Sequence, residues 1–166
     1  MTGHIGIGHT RWATHGKPSD VNSHPHLSNN KKFGVVHNGI IENYRELRDE
    51  LVKEGFSFQS ETDTEVIPNL LEKYDDGDFL STVEKVISLL EGAYALCILN
   101  KDMPDEIITV RKDSPLVIGK GEGEAYIASD IPAILEYTRT IYVLEDGEVG
   151  VIRREGMDFY DASGST

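Results

Sequence analysis

The chain changes its hydrophobic period at Gly92-Ala93-Tyr94-Ala95-Leu96-Cys97-Ile98-Leu99, and this stretch decides the fold class. Upstream of it, apolar residues recur at helical spacing, which predicts three helices. From Tyr94 onward the period is two, which predicts strands. Because a group of helices precedes a group of strands, we expect an α+β fold with largely antiparallel pairing rather than a sheet wound from βαβ units.

The predicted helices have recognisable boundary residues. The first ends at Gly55, since glycine is typical of a helix C-terminus. The second begins after Thr62-Asp63-Thr64-Glu65, whose Asp and Thr are good caps, and it tolerates Pro68 only in its first turn. The third is predicted over residues 79–90.

Two strands are predicted before the helices, at residues 5–8 and 33–36. Asn38-Gly39 is predicted to turn the chain directly after the second of them, and Asp146-Gly147 to form a tight hairpin turn. The glycine-rich residues 119–123 lack the ending of a phosphate-binding loop and predict a flexible hairpin. The remaining strands are predicted at residues 94–99, 106–111, 116–118, 125–128, 141–144 and 149–152.

Composition excludes several classes of function. The 166 residues include 16 Lys and Arg against 29 Asp and Glu, a formal net charge of −13, with one cysteine. The acidic balance disfavours nucleic acid and anionic membranes as partners. A single cysteine excludes an internal disulfide and a multi-cysteine zinc site. No apolar run approaches the roughly 20 residues of a membrane helix and no signal-peptide pattern is present, so we expect a cytoplasmic protein.

All six histidines lie within the first 37 residues, which raises the question of a metal site. No pair has the i, i+4 spacing of a helical zinc motif, and His24-Pro25-His26 is not accompanied by a metalloprotease signature. We therefore expect neither a metal nor a cofactor. Cys97 has apolar neighbours in a predicted strand, which is typical of an inert buried thiol rather than a nucleophile.

Three segments have residue types suited to binding a small charged ligand. In His9-Thr10-Arg11-Trp12-Ala13-Thr14-His15-Gly16, the arginine can clamp a carboxylate, or the loop can be solvated with its tryptophan in the core. Asn38-Gly39 can present a side-chain amide and a backbone N–H to an oxyanion, or can be a simple turn. Asp63 can bind an ammonium group, or can be a helix cap.

Taken together, these segments resemble the glutaminase (class II glutamine amidotransferase) domain of the glutamine–fructose-6-phosphate aminotransferase family. The resemblance extends over essentially the whole chain, and the Arg-Trp-Ala-Thr-His form is its most specific part. Its remaining motifs are Asn22-Ser23-His24-Pro25-His26, Val35-Val36-His37-Asn38-Gly39-Ile40-Ile41-Glu42-Asn43-Tyr44, Ser60-Glu61-Thr62-Asp63-Thr64-Glu65-Val66-Ile67, Gly92-Ala93-Tyr94-Ala95-Leu96, Ser114-Pro115-Leu116-Val117-Ile118-Gly119 and Ala128-Ser129-Asp130.

The resemblance implies an N-terminal-nucleophile hydrolase fold, a four-layer αββα sandwich of antiparallel sheets. It implies hydrolysis of L-glutamine to glutamate and ammonia for glucosamine 6-phosphate synthesis, with a sugar-isomerase domain as partner. By the same resemblance Asn38 and Gly39 form the oxyanion hole, and His24 lies toward the partner domain. The implied substrate-binding residues are Arg11 for the α-carboxylate, Thr14 and His15 beside it, Trp12 as an ammonia gate, and Asp63 for the α-ammonium.

The family's nucleophile is a cysteine at the mature N-terminus, upstream of the Arg-Trp motif, whereas this chain begins Met1-Thr2-Gly3-His4. We therefore expect residues 1–161 to form a glutaminase domain without its first strand and helix, and residues 162–166 to begin an interdomain linker. We also expect the chain to be inactive alone, and to associate with itself through an exposed sheet edge. The alternative function is a non-catalytic glutamine-binding or regulatory module.

Overall fold

The computed structural model describes residues 3–11 and 15–161, so the predictions for Trp12, Thr14 and the linker at 162–166 lie outside the described residues. The helices are α1 (Tyr44–Lys53), α2 (Val66–Lys73) and α3 (Phe79–Ile87). The strands are β1 (His26–Leu27), β2 (Phe33–Ile41), β3 (Gly92–Asn100), β4 (Glu106–Lys112), β5 (Val117–Lys120), β6 (Ala125–Ala128), β7 (Ile141–Val143), β8 (Val149–Arg153) and β9 (Gly156–Tyr160). The predicted α+β class is confirmed.

The strands form two antiparallel sheets. The larger has six strands in the order β1-β2-β3-β4-β8-β9, and the smaller has three in the order β6-β5-β7. In the larger sheet, β2 and β3 pair along their whole length, from Phe33 opposite Asn100 to Ile41 opposite Gly92. This long ladder sets the position of every β2 residue near the candidate site.

The three helices cover one face of the larger sheet and bury the main core. That face receives alternate strand residues, and α2 presents fully buried Ile67 and Leu71 to it. Helix α2 begins after Glu65, as predicted, but the predicted capping is wrong, since its N-cap residue Glu65 makes no capping hydrogen bond and Asp63 accepts the Ile41 N–H instead. The Asp78 side chain accepts the Ser81 N–H at 3.0 Å and caps α3. Pro68 lies in the first turn of α2, as predicted, where its missing N–H costs no helical hydrogen bond.

The smaller sheet packs on the opposite face of the larger one. Leu116, Ile118 and Leu144 meet Ala95 and Ile152 in a second apolar cluster. The described residues therefore form successive layers of helices, six-stranded sheet and three-stranded sheet. A short 3-10 turn at Ile131–Ala133 precedes buried Ile134, which lies against the β5 backbone at Gly119. The predicted hairpin at residues 119–123 is confirmed, since it joins β5 to β6.

The prediction that Asn38-Gly39 turns the chain is wrong, because both residues lie inside β2, opposite Ala95 and Tyr94. Pairing with β3 outweighs the local preference of this dipeptide for a turn. Gly39 has φ +120°, and a Cβ there would collide with the Ala93 carbonyl oxygen. The position therefore requires glycine, because the backbones of β2 and β3 approach closely.

Two other predictions fail because strand pairing depends on distant partners. Asp146-Gly147 does not close a hairpin, since β7 belongs to the smaller sheet and β8 to the larger one. It is a connection between sheets in which Asp146 accepts the Asp113 N–H at 3.0 Å. The strand predicted at residues 5–8 is absent, and no ladder in the described part of the chain pairs with that segment. The strands β1 and β9 were missed.

Candidate functional site

The site lies along the free edge of β2. The short strand β1 covers only the start of this edge, opposite Gly34 and Val35. Further along, the His37 N–H donates to His24 Nδ1 at 3.2 Å, and the Ile41 N–H donates to Asp63 Oδ2 at 2.8 Å. Because alternate N–H groups of a strand share a direction, we expect the Gly39 N–H, which lies between those of His37 and Ile41 in sequence, at this same edge.

The loop before α2 brings Asp63 to this edge and is fixed by the buried Glu65 carboxylate. Glu65 Oε1 accepts the Gln59 N–H at 2.9 Å. Glu65 Oε2 accepts the Ser60 N–H at 2.8 Å and the Ser60 hydroxyl at 2.5 Å. These bonds link the two ends of residues 59–65 and close them into a compact loop. Asp63 lies within this loop. A charge-assisted network of this kind is favourable only because its members are fully paired.

Two buried histidines hold the threonines on either side of Asp63. Thr62 Oγ1 lies 2.9 Å from His26 Nε2, and Thr64 Oγ1 lies 2.9 Å from His37 Nδ1. The histidines come from β1 and β2, so both strands are tied to the loop. We call the buried set His26, His37, Ser60, Thr62, Asp63, Thr64 and Glu65 the polar layer.

A second loop carries Arg11, whose guanidinium donates to three backbone carbonyls of the following residues. Nη2 lies 2.7 Å from the His15 oxygen and 3.1 Å from the Gly16 oxygen, and Nη1 lies 3.1 Å from the Lys17 oxygen. These bonds fix the guanidinium while leaving further N–H donors for a ligand. Arg11 itself has φ +55°, in the left-handed region that disfavours side chains.

His9 connects this loop to β2. Its Nδ1 accepts the Arg11 backbone N–H at 2.9 Å, and its Nε2 lies 2.6 Å from Asn38 Oδ1. The His9 ring also stacks on His24, with centroids 4.2 Å apart. Asn38 side chain and Arg11 backbone therefore share one imidazole, although they are far apart in sequence.

Two cavities flank the Asn38 segment. The first, of about 470 Å³, lies between the sheets and is lined by Asn38, Ala95, Cys97 and Leu116 among others. The second, of about 450 Å³, brings together most of the residues singled out from the sequence. It is lined by His9, Arg11, His15, His24, His37, Asn38, Gly39, Ile40, Thr62, Asp63 and Thr64. We call this second space the Asp63 cavity.

Burial favours the neutral form of three histidines at or near the Asp63 cavity, His24, His26 and His37. It lowers the pKa of His24 to about 3, with a further lowering by neighbouring His9. Burial also lowers the pKa of His26 and of His37, and nearby Glu65 and Asp63 respectively oppose part of that effect. Within the described part of the chain, no cluster of His, Cys, Asp or Glu is arranged to hold a metal ion.

Cys97 is poorly suited to nucleophilic attack. Burial raises the pKa of its thiol to about 11, with a small opposing effect from the Thr109 hydroxyl 3.7 Å away. A thiol with such a pKa is almost entirely protonated at neutral pH, whereas the thiolate is the reactive form. The interpretation of Cys97 as an inert thiol agrees with this environment.

The structure thus places five residues predicted from the sequence, Arg11, His15, Asn38, Gly39 and Asp63, around one cavity. Sequence reasoning gave no individual role to His9 or Glu65, and it interpreted the threonines beside Asp63 only as helix caps. A sequence signal existed for Thr62, Thr64 and Glu65, because the four polar residues around Asp63 are more than a helix cap requires. The contact between His9 and Asn38 had no such signal, because it joins residues 29 positions apart.

Comparison with known proteins agrees with this arrangement. The chain belongs to the glutamine amidotransferase domain family, which it matches over residues 9–136. It is 57% identical over 164 residues to glutamine–fructose-6-phosphate aminotransferase (isomerizing) of Caldanaerobacter subterraneus subsp. tengcongensis. It is 50% identical over 160 residues to the protein of the same name from Thermotoga maritima. These alignments cover 99% and 96% of the chain.

The chain spans about a quarter of the length of these curated relatives, 27% and 26% respectively. Among solved structures it is similar to glutamine phosphoribosylpyrophosphate amidotransferase from B. subtilis complexed with ADP and GMP. That similarity has a TM-score of 0.78 at 30% identity and covers 93% of this chain and 34% of the other. The fold is therefore that of the N-terminal-nucleophile hydrolase amidotransferases, as the resemblance implied. None of the described helices is long and apolar enough to cross a membrane.

Proposed function

We propose that this chain recognises L-glutamine in the Asp63 cavity and forms the glutaminase part of a glutamine–fructose-6-phosphate aminotransferase. The observation that carries the proposal is the lining of that cavity, which combines the Arg11 cation, the buried Asp63 carboxylate and the Asn38-Gly39 pair. A free amino acid with a side-chain amide has one anionic group, one cationic group and one polar carbonyl. Each of these groups has a matching partner around the cavity.

Arg11 is the proposed partner of the α-carboxylate. Its guanidinium is already held by the His15, Gly16 and Lys17 carbonyls, so little side-chain freedom is lost when a ligand binds. The Nε–H and the second Nη1–H are not used by these three bonds and can donate to a carboxylate oxygen. His15 lies beside it on the cavity wall, and the roles of Trp12 and Thr14 remain predictions from the resemblance.

Asp63 is the proposed partner of the α-ammonium. One carboxylate oxygen, Oδ2, accepts the Ile41 N–H, while the residue is only 3% exposed. Burial makes a carboxylate costly unless it is paired, and a ligand ammonium supplies such pairing. The polar layer holds this carboxylate through both neighbouring threonines.

Asn38 and Gly39 are the proposed oxyanion hole. Attack on the glutamine amide converts its carbonyl oxygen into an oxyanion, and preorganised N–H donors stabilise that charge. The Asn38 amide and the Gly39 N–H come from consecutive residues of a strand locked in register with β3. Hydrolysis with water yields glutamate and ammonia. In the longer protein, we propose that a sugar-isomerase domain uses this ammonia to make glucosamine 6-phosphate from fructose 6-phosphate.

The nucleophile is not provided by Cys97, the one cysteine of the chain, because a thiol with its pKa raised to about 11 is protonated at neutral pH. We therefore propose that this chain binds glutamine without turning it over by itself. A version extended upstream to a Met-Cys-Gly start is expected to release glutamate. Non-catalytic glutamine binding is the alternative function of the chain as it stands, and the same measurements test it.

Calorimetric titration with glutamine tests recognition. We expect saturable binding, and we expect Asp63→Asn to weaken it at least about tenfold, because a charged hydrogen bond is replaced by a neutral one. Asp146→Asn is the matched control, since Asp146 also accepts a backbone N–H but lies outside the cavity. Absence of heat at millimolar glutamine, or equal binding by Asp63→Asn and the native chain, contradicts the proposal. Robust glutamate release by the unextended chain contradicts the assignment of Cys97.

A further inference from the structure

The hydrogen bonds around His9 determine which of its nitrogens carries the proton. A backbone N–H can only donate, so His9 Nδ1, 2.9 Å from the Arg11 nitrogen, must be the acceptor. A neutral imidazole with an acceptor at Nδ1 carries its hydrogen at Nε2. The 2.6 Å contact with Asn38 is therefore an Nε2–H donating to that side chain.

The tautomer of His9 in turn determines the orientation of the Asn38 amide. A donor at His9 Nε2 must face the amide oxygen, because the amide nitrogen has only N–H donors and two donors repel. The Asn38 carbonyl therefore points toward His9. The Asn38 NH₂ group, at the other end of the same planar amide, is left to donate in the opposite direction.

We propose that His9 is a positioning residue that fixes the Asn38 amide with its NH₂ group available to the ligand carbonyl. This inference rests on the proposed function, in which Asn38 is one of the two oxyanion donors. Without His9, the amide can rotate by half a turn and present its oxygen to the oxyanion, which repels it. The orientation is thus set before the ligand binds, as electrostatic stabilisation requires.

The backbone at Arg11 supports this role. Its φ of +55° lies in the left-handed region, which is unfavourable for a residue with a side chain, and such strain persists where the surroundings enforce it. The conformation directs the Arg11 N–H to His9, while the Arg11 guanidinium is anchored on the following loop carbonyls. The proposed carboxylate clamp and the proposed oxyanion donor are therefore joined through one imidazole.

Comparing the binding of two ligands distinguishes a role in positioning the Asn38 amide from a general effect on the structure of the cavity. L-2-aminobutanoate shares the α-carboxylate and α-ammonium of glutamine but lacks its side-chain amide. We expect His9→Phe, which keeps a ring to stack on His24, to weaken glutamine binding about tenfold more than L-2-aminobutanoate binding, because the lost acceptor of the Arg11 N–H affects both ligands alike. We expect His9→Gln to restore glutamine binding, because its amide has a donor near the position of Nε2. Exposed His4→Phe is the matched control.

A ligand-free measurement keeps this inference separate from the proposed function. ¹⁵N chemical shifts of the His9 imidazole distinguish the two neutral tautomers, and we expect the hydrogen on Nε2. The Asn38 side-chain NH₂ resonances are expected to shift in His9→Phe and to return in His9→Gln. A hydrogen on Nδ1, or equal weakening of both ligands by His9→Phe, overturns the inference. If the native chain binds no glutamine, the proposed function fails, and the NMR result alone decides the orientation of Asn38.

Discussion

The molecule contains two layers that are equally buried but held together differently. Beneath the helices, Ile67 and Leu71 of α2 are fully buried among apolar side chains. A few residues earlier, Asp63 and Thr64 are 3% and 1% exposed, yet they belong to the polar layer and are held by hydrogen bonds. Both layers adjoin the same strand, β2, so the difference between them arises from chemistry and not from depth.

Apolar burial stabilises the fold without fixing any one direction, because it depends mainly on area and packing. Hydrogen bonds contribute less net free energy each, but a missing partner leaves a buried polar group unpaired at high cost. The apolar layer is therefore expected to control stability. The polar layer is expected to control the geometry of the Asp63 cavity and to make it sensitive to conditions that the apolar layer tolerates.

Acid is expected to have the largest effect, and it leaves the apolar layer itself uncharged, because the main core formed by the described residues contains no histidine or carboxylate. The pKa of His24 is about 3 in the folded chain against an ordinary value of 6.5, and burial also lowers the pKa of His26 and of His37. Between these values the unfolded chain binds more protons than the folded chain. The free energy of unfolding is therefore expected to fall as pH decreases from 6.5 toward 3.

Urea unfolding followed by circular dichroism at a series of pH values measures this effect. The interval from about pH 6.5 to about pH 5 is diagnostic, because ordinary carboxyl groups titrate below it. His24→Gln is expected to make the free energy of unfolding depend less steeply on pH in that interval. The same substitution at exposed His4 should leave this dependence unchanged. A stability that is constant across this interval in the native chain would show that the buried histidines are not maintained neutral.

Removing a large side chain from the apolar layer is expected to have the next largest effect. It should lower stability but leave glutamine affinity unchanged. Leu71→Ala removes a fully buried side chain from the main core and should lower the free energy of unfolding by about 2–5 kcal/mol. Because no hydrogen bond of the polar layer involves Leu71, glutamine affinity should be unchanged at temperatures where the variant is folded. Denaturant titration and calorimetry measure the two quantities. A parallel loss of both would mean that the two layers are not independent.

The apolar layer is also the part of the molecule that the sequence predicts well. The start of α3 at Phe79 and the turn position of Pro68 follow from local causes, a capping Asp and a missing N–H. Asn38-Gly39 was misjudged because its conformation depends on β3, more than fifty residues further along the chain. Strand β9 was missed for a similar reason, since its pairing with β8 gives it strand structure.

In the candidate site, too, some residues could be predicted from the sequence and others could not. Arg11, Asn38 and Asp63 were singled out because their side chains have chemistry that a charged ligand requires. Their partners were not, because pairs such as His26–Thr62 and His9–Asn38 join segments 36 and 29 positions apart. A single sequence has no periodicity that encodes such contacts. The groups that bind can therefore be predicted from residue type, whereas the groups that orient them require the fold.

The smallest expected effect on stability comes from a single hydrogen bond of the polar layer, and it is the sharpest test of the comparison. Thr62→Val keeps the shape of the side chain but leaves His26 Nε2 without its partner, at an expected cost of about 1–3 kcal/mol. Thr82→Val is the matched control, since the fully buried Thr82 hydroxyl donates to the Asp78 carbonyl in α3. Both variants should lose similar stability, but only Thr62→Val should weaken glutamine binding. Because Asp63 follows Thr62 directly, equal affinities in the two variants would mean that the Thr62–His26 contact does not help to position the carboxylate, and that the Ile41 N–H and the Thr64–His37 contact suffice.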